Sequence, residues 1–551
     1  MFHMPDTITY ALPEQIGNTE LFVGRKKEFD FFLGDWNTFL KQNMAQSQAL
    51  LARRKKGKTA FLQRLFNILW SDANGNVIPF YYAVQDQKVE LSDFSKDFFT
   101  TFANHYISFL ERKPELVTNP LSFDQLEGPL QPHPEVLAKY HSIQNFKQGE
   151  EWGLMWKTAS RAPFHIAASK GFKIVQIFDE FQNIDGYVYD YRGELIDSMS
   201  GAYLDLAEKK EAPLIVSGSE VHGLIRIIRR LTDRFIENTL ENLPEDEACE
   251  AINMYANFSG THIDQTSIQR IWNLTRGDPL YIKALFFSRF NSSKDYTNVE
   301  NIVHTYELET TRGEIFKTWM EYILKVFHEV NQVNAKRIML YLFQAGEERT
   351  RAQILKDLKL DMSDSDLESK LQQLVRADLV SQGQTAFDYR VSPDKTYELV
   401  FRQRYQKEID HFVPDIRAEI KRQMGRTSVE KGKFREFLLK EKLKKSFNLQ
   451  DITENGPNQR IKPLGIAERK TLQLGLLQRE IDLVIEAKPE VWVDVKDTQR
   501  KYGKAEADRW IQIMQAAQKE GKDIVFLVYS QSGFTQGTRE RLLEHGAHIV
   551  C

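Results

Sequence analysis

The sequence predicts an α/β protein of several domains, and three stretches carry that prediction. "ARRKKGKTA" follows the apolar Ala49-Leu50-Leu51 and precedes a helical pattern. "FKIVQIFDEFQNI" is an apolar run that ends in two carboxylates. "QREIDLVIEAKPEVWVDVKDTQ" alternates apolar and polar residues around a turn. A continuous apolar run suits a strand buried in a parallel sheet, and alternation suits a strand with two unlike faces. At 551 residues, the chain has room for three or four domains of the usual ~100–200 residues.

The first stretch fits G-x-x-x-x-G-K-[ST] at Gly57, Lys58 and Thr59, with Ala52 at the first glycine. Gly57 allows the turn that aims successive N–H groups at phosphates. Lys58 supplies a point charge to the β- and γ-phosphates, and Thr59 can ligate Mg²⁺. The helix opening near Lys58 adds its positive end. Arg54 and Ala60 complete the candidate contacts of this loop. Ala52 is tolerated only where the backbone avoids a strongly positive φ. A basic surface turn ahead of an amphipathic helix is the other account of the same residues.

In the second stretch, Asp179 and Glu180 follow the run Ile174–Phe178. Open α/β sheets place ligands at the C-terminal ends of their strands. Asp179 there would hold Mg²⁺ through its water shell, and Glu180 would orient or polarise the attacking water. A helix cap after a core strand is the plainer alternative. A third strand, "APLIVSGSEVHGL", ends at Ser217, which either senses the γ-phosphate or marks a strand exit. Arg234, in "RRLTDRFIENTLENLP", is either phosphate-facing or an ordinary surface arginine.

Taken in chain order, "LFVGRKKEFDFF", "RRKKGKT", "IVQIFDE" and "LTRGDPLYIKAL" resemble the archaeal-type ATPases of the STAND/AAA-related group, over roughly residues 18 to 330. The resemblance implies a P-loop NTPase core over residues 1–240 that binds ATP with Mg²⁺, and a helical lid over 241–330. Gly277-Asp278-Pro279 falls at a helix boundary, because proline disfavours helical geometry in the residue before it. Residues 85–170 lie outside the resemblance, and "HYISFLERKPELV" there is read as helical.

Beyond Asn334, "NAKRIMLYLFQAG", "TRAQILKDLKL" and "DSDLESKLQQLVRADLV" have helical spacing, and "SQGQTAFDYRVSP" is patterned as a wing. Helix, helix, helix and wing predict a winged-helix domain over 331–405. The acidic start of its third helix suits the helix dipole but opposes phosphates. A DNA contact and an internal structural role both stay open. Residues 406–428 form a basic helical linker broken at Pro414.

In the third stretch, Val491, Val493 and Val495 point one way, and Trp492, Asp494 and Lys496 the other. Asp482 joins that second face only if paired residue numbers sum to an even value, as with a three-residue loop Ala487–Pro489 that sets Asp482 opposite Asp494. Phosphodiester hydrolysis needs a cation to offset phosphate charge and acidify a water. Mg²⁺ favours hard oxygens, which Asp482, Asp494 and the Val495 carbonyl would supply. Lys496 would orient the water or stabilise developing charge. The arrangement D…(D/E)-x-K resembles the PD-(D/E)xK restriction-endonuclease-like superfamily over roughly 429–551, with Glu480-Ile481 where the family name has proline. The resemblance implies a nuclease-like α/β domain with Glu436, or secondarily Glu430, as a helix carboxylate. Basic residues from Arg417 to Lys445 form either a solvated helix face or a phosphate-tracking surface.

Composition bounds the function. The 74 basic and 77 acidic side chains give a net charge of -3, so any attraction to nucleic acid is local. Only two cysteines are present, without metal-ligand spacing, which fits a reducing, cytoplasmic setting. No apolar run approaches the ~18 residues of a membrane span, and "MFHMPDTITYALPEQ" lacks a signal peptide's basic-then-apolar order. Two functions fit. One is an ATP-regulated, Mg²⁺-dependent nuclease acting on nucleic acid, in the first instance DNA, in genome defence. Cutting both strands needs two active sites, so a homo-oligomer is compatible with it. The other is a nucleotide-dependent switch that binds DNA or protein and carries an inert nuclease remnant.

Overall fold

The computed structural model describes residues 7–53, 55–72, 76–146, 149, 151–203, 205–219, 221–231, 234–327, 332–376, 379–383, 385, 387–391, 394–410, 415–425, 443, 446–474, 477–496, 501–530, 533–535 and 537–550. The chain forms two compact units, residues 1–420 and 421–551. The division falls inside the stretch expected to be a linker.

The first unit is built on five parallel strands. These are β1 (Ser47–Leu51), β2 (Val77–Ala83), β3 (Lys173–Asp179), β4 (Leu214–Gly218) and β5 (Phe235–Thr239), in the spatial order β2-β3-β4-β1-β5. β1 and β4 are buried at every position, as strands covered on both faces must be. β5, at the sheet edge, is exposed at Ile236, Glu237 and Thr239. Parallel neighbours need crossovers, here made by helices. α1 (Lys58–Ser71) follows β1, while α2 (Leu91–Glu111) and α3 (Trp152–Lys170) lie between β2 and β3. The region 85–170 is thus largely helical. Aromatic rings weld α2 and α3 to the sheet: Phe98 stacks on Phe178 at 5.9 Å, and Trp156 meets Phe98 edge-on at 5.4 Å.

Five helices follow: α4 (Glu245–Ser259), α5 (Gln265–Thr275), α6 (Pro279–Phe286), α7 (Val299–Arg312) and α8 (Glu314–Phe327). Gly277 makes the sharp entry into α6. Its φ is 74°, and a Cβ there would lie 2.1 Å from the Leu243 carbonyl oxygen. Next come α9 (Gln332–Ala345), α10 (Arg351–Leu358) and α11 (Asp364–Arg376), with an antiparallel sheet of β6 (Arg349–Thr350), β7 (Val380–Gln382) and β8 (Asp388–Val391) in the order β6-β8-β7. α12 (Lys395–Asp410) runs through the boundary expected at 405. Tyr397 and Phe401 on it pack on Trp319 of α8 and Phe343 of α9. α13 (Ile416–Gly425) closes the described part of the linker. Its Arg417 pairs with Glu300 and Glu307 at 3.3 and 3.6 Å, so this member of the basic run faces carboxylates.

In the second unit, β9 (Gly465–Leu474), β10 (Leu477–Glu486), β11 (Glu490–Lys496), β12 (Ile524–Ser530) and β13 (Ala547–Ile549) form one sheet in sequence order. β9 to β11 are antiparallel, and β11 to β13 parallel. α14 (Lys504–Lys519) and α15 (Thr538–Glu544) supply the helical layer. Val484, Trp492 and Phe526 form one core with Trp510 and Met514 of α14. Leu483, Ile485, Val491, Val493 and Leu527 form another core. Ile481 departs from this alternation by joining the first, just past the last paired residue, Leu483.

Candidate functional site

The candidate phosphate loop leaves β1 at Leu51 and enters α1 at Lys58. Its positive φ values fall at Lys55 (64°) and Gly57 (85°), and Ala52 is not among them. A buried alanine at the first position is therefore sterically acceptable. Arg54 lies outside the described residues.

The loop is braced from outside. Arg25 donates to the Lys56 carbonyl at 2.8 Å and to the Glu241 carbonyl at 2.6 Å, and its own backbone N–H donates to Glu247 at 2.6 Å. The motif "LFVGRKKEFDFF" thereby acquires a physical task, locking the loop to α4. Lys58 Nζ donates to the carbonyls of Ala52 and Arg53 at 2.7 and 3.1 Å, inside the concave turn where phosphate oxygens would replace them.

β1 and β3 are separated by β4, yet their ends converge. Thr59 Oγ1 donates to Asp179 Oδ2 at 2.6 Å. Tyr81, at the end of β2, donates to the same oxygen at 3.2 Å, and Ser217 of β4 donates to Oδ1. Burial and the Asp179 charge push the Tyr81 hydroxyl up, which keeps it a donor. Two parallel strands and the first turn of α1 thus aim side chains at one carboxylate. Ser217 is bonded to Asp179 and is not among the residues that line the adjoining cavity.

Glu180 sits in left-handed geometry with φ 54°. It accepts from Ser219 N–H (3.1 Å), Ser219 Oγ (2.7 Å) and Gln182 Nε2 (2.6 Å). Burial raises its pKa, but these bonds and the Lys58 charge outweigh burial and hold the carboxyl below its ordinary value. It is therefore ionised at neutral pH.

These groups line a cavity of about 590 Å³ that also takes in Gly57, Ala60 and, from α6, Pro279, Leu280 and Lys283. That size suits a nucleotide-scale ligand. Thr59 and Asp179 offer hard oxygens side by side, which fits Mg²⁺. Arg234 is elsewhere. It precedes β5, whose first residue pairs with Ser47 at the start of β1, so it lies at the opposite end of the sheet from the loop, bonded to Glu208 at 2.7 Å. Within one chain Arg234 is therefore not among the residues that line this cavity.

The second candidate site is on β10 and β11. Leu483 pairs with Val493, Val484 with Trp492 and Ile485 with Val491. The pairing stops at Leu483 and Val493, one residue short of Asp482 and Asp494, and the paired numbers sum to an even value, as a three-residue loop requires. Val495 N–H donates to Asp482 Oδ2 at 2.8 Å. Burial lifts the Asp494 pKa to about 6, with the Asp482 charge adding and a hydrogen bond from Tyr502 opposing. Lys496 forms an ion pair with Glu506 of α14 and donates to the Lys501 carbonyl at 3.2 Å. Among the described residues no group of three or more His, Cys, Asp or Glu side chains is placed to hold a metal ion. Glu436 and Glu430 lie outside the described residues.

Several contributors escape local sequence logic: Arg25, Tyr81 and Ser219 in the first site, Tyr502 and Glu506 in the second. Tyr81 carries one legible signal, a polar tip at the C-terminal end of an apolar strand.

No protein-family model matches the chain, and no curated protein matches it. Among solved structures it is similar to the Walker-type ATPase of Pyrococcus abyssi, with 14% identity and a TM-score of 0.43 over 69% of this chain and 97% of that one. The Thermotoga maritima RuvB Holliday junction branch migration motor shares 14% identity at a TM-score of 0.32, over 71% and 98%. The Aeropyrum pernix ORC2 protein shares 10% at 0.39, over 71% and 98%. All three superpose at TM-scores below one half. Side-chain geometry at the strand ends therefore decides the chemistry. No helix among the described residues is long and apolar enough to cross a membrane.

Proposed function

We propose that the first unit binds and hydrolyses ATP with Mg²⁺, and that its nucleotide state governs Mg²⁺-dependent cleavage of nucleic acid by the second unit. The observation that carries this is the 2.6 Å contact between Thr59 and Asp179, which joins the phosphate loop to the acid at the end of β3. Thr59 would ligate Mg²⁺ directly and Asp179 through water. The ion supplies charge neutralisation at the β- and γ-phosphates. Lys58 exchanges two loop carbonyls for phosphate oxygens. Glu180, ionised and fixed by Ser219 and Gln182, takes a proton from a water in line with the γ-phosphate.

In the second unit, Asp482 and Asp494 would hold Mg²⁺ together with the Val495 carbonyl. The ion supplies a more acidic water and a countercharge for the scissile phosphate. Lys496 would stabilise developing charge, and Asp494 must lose its proton before a cation enters. DNA is the first substrate to test, with genome defence as the setting and paired active sites in a homo-oligomer for double-strand cuts.

A nucleotide-operated switch with an inert second unit is favoured by one observation: Lys496 is ion-paired with Glu506. Plasmid digestion with Mg²⁺ or EDTA, with and without ATP, separates the two. Cutting that Asp494→Ala abolishes while DNA binding persists supports the nuclease. No cutting under any nucleotide condition leaves the switch.

A further inference from the structure

The hydrogen bonds to Glu180 converge on one oxygen. Its Oε2 accepts from Ser219 N–H at 3.1 Å, from Ser219 Oγ at 2.7 Å and from Gln182 Nε2 at 2.6 Å. Among the described residues no donor meets Oε1, and Glu180 lines the nucleotide cavity. One oxygen is therefore pinned and the other is left to accept from a water. Ser219 is the first residue after β4, while Gln182 stands two residues after Glu180 in the turn that follows β3.

Gln182 leaves half of its amide unused to do this. Its Oε1 is buried and has no hydrogen-bond partner. Buried acceptors are rarely left unpaired, and an exception calls for an account in terms of function. The amide keeps its orientation because the reverse one would set a carbonyl against a carboxylate. Oε1 rests on Gly218, the last residue of β4. A Cβ at Gly218 would lie 2.1 Å from Gln182 Oε1 and 3.1 Å from its Cδ, with Leu224 Cβ next at 3.3 Å. Gly218 does not have a left-handed φ, so its backbone accepts alanine and the missing side chain is what matters. The atoms that would collide form the far end of a flexible side chain. A methyl group there displaces the Gln182 amide at little cost in stability.

Resting on the proposed role of Glu180 as the group that acts on water, we propose that Gln182 and Gly218 are positioning residues for ATP hydrolysis. Gly218 leaves the space in which Gln182 turns its amide onto Glu180 Oε2, and the carboxylate so held presents Oε1 to the attacking water. Neither residue touches the reacting atoms. Their effect falls on rate, because displacing a reacting group by about 1 Å costs on the order of 10²-fold. Nucleotide affinity is left to Lys58 and Thr59.

ATP turnover, Mg-ATP binding and urea midpoints of the full chain test this together. Gln182→Met, which keeps the bulk and removes the donor, and Gly218→Ala should each lower kcat about 10–100-fold. Affinity for Mg-ATP should stay within about twofold of wild type, with the urea midpoint unchanged. A double-mutant cycle carries the sharper test. Gly218→Ala should slow turnover when residue 182 is glutamine and cost nothing further in Gln182→Ala, since no amide is then left to displace. An equal loss from Gly218→Ala in both backgrounds overturns the proposal, as does wild-type turnover in Gln182→Met. Glu180→Gln distinguishes this failure from failure of the underlying role. Turnover that survives Glu180→Gln, or is missing from the wild type, removes Glu180 as the group that acts on water and its positioning with it. Slow turnover in Glu180→Gln beside wild-type rates in Gln182→Met removes the positioning alone.

Discussion

Lys56, in the loop between β1 and α1, forms a buried ion pair with Asp278, the residue that caps α6; their side chains are 16% and 5% exposed. Asp278 also accepts from the N–H of Leu280 at 2.9 Å, and Lys56 donates to Asn242 as well. Three residues after Asp278, in α6, Tyr281 donates to Asp394 at 2.7 Å, and Asp394 receives N–H groups from the first turn of α12. The loop that would hold phosphate is therefore tied to the helix that walls the cavity, and through it to α12.

Removing one partner of such a pair strands the other charge. Asp278→Ala is expected to cost about 3–5 kcal/mol, because both the pair and the cap are lost. Asp278→Asn keeps a competent cap and should cost less. Urea denaturation of the two variants checks the ordering, and equal midpoints would contradict it.

In the proposed function Glu180 acts on water, and Lys58 and Thr59 hold the phosphates and their cation. Glu180→Gln should therefore bind ATP within a few-fold of wild type while turning over about 10²–10⁴ times more slowly. Single-turnover hydrolysis beside equilibrium binding separates the two effects. A parallel loss of affinity would assign Glu180 to binding.

Asp494 makes the second unit pH-sensitive with a definite sign. Its native pKa of about 6 lies above the ordinary value of 3.8. The native state thus holds the extra proton, and stability falls as pH rises from about 4 to about 6. Asp494→Asn should match wild type near pH 4 and exceed its stability near pH 8 by on the order of 3 kcal/mol. Mg²⁺ competes with the same proton, so its apparent affinity should climb across that window. Thermal unfolding and Mg²⁺ titration against pH read both.

Arg234 supplies a negative control. It pairs with the largely exposed Glu208 at the sheet end away from the loop. Arg234→Ala should leave ATP binding unchanged and stability within about 0.5 kcal/mol. A large drop in nucleotide affinity would return it to the pocket.

The legible parts were those written in short patterns. Gly57-Lys58-Thr59 and the apolar run before Asp179 placed a loop and a strand end, and parity on the third stretch stated which register sets Asp482 opposite Asp494. What stayed hidden depends on partners distant in the chain. Arg25 and Glu247, or Lys56 and Asp278, are 222 residues apart, and no periodicity encodes such a meeting. The place of Arg234 was hidden because its distance from the loop depends on which end of β5 it occupies, a matter of strand direction in the folded sheet. Ser217 was half-legible: its strand end was foreseen, but its bond to Asp179 depends on β4 lying between β1 and β3.

The most direct test is calorimetric titration of Mg-ATP onto wild type and Lys58→Ala. The geometry predicts one nucleotide per wild-type chain and at least about tenfold weaker binding once the loop ammonium is gone. Equal affinity in the two proteins would mean that phosphate does not bind in this turn.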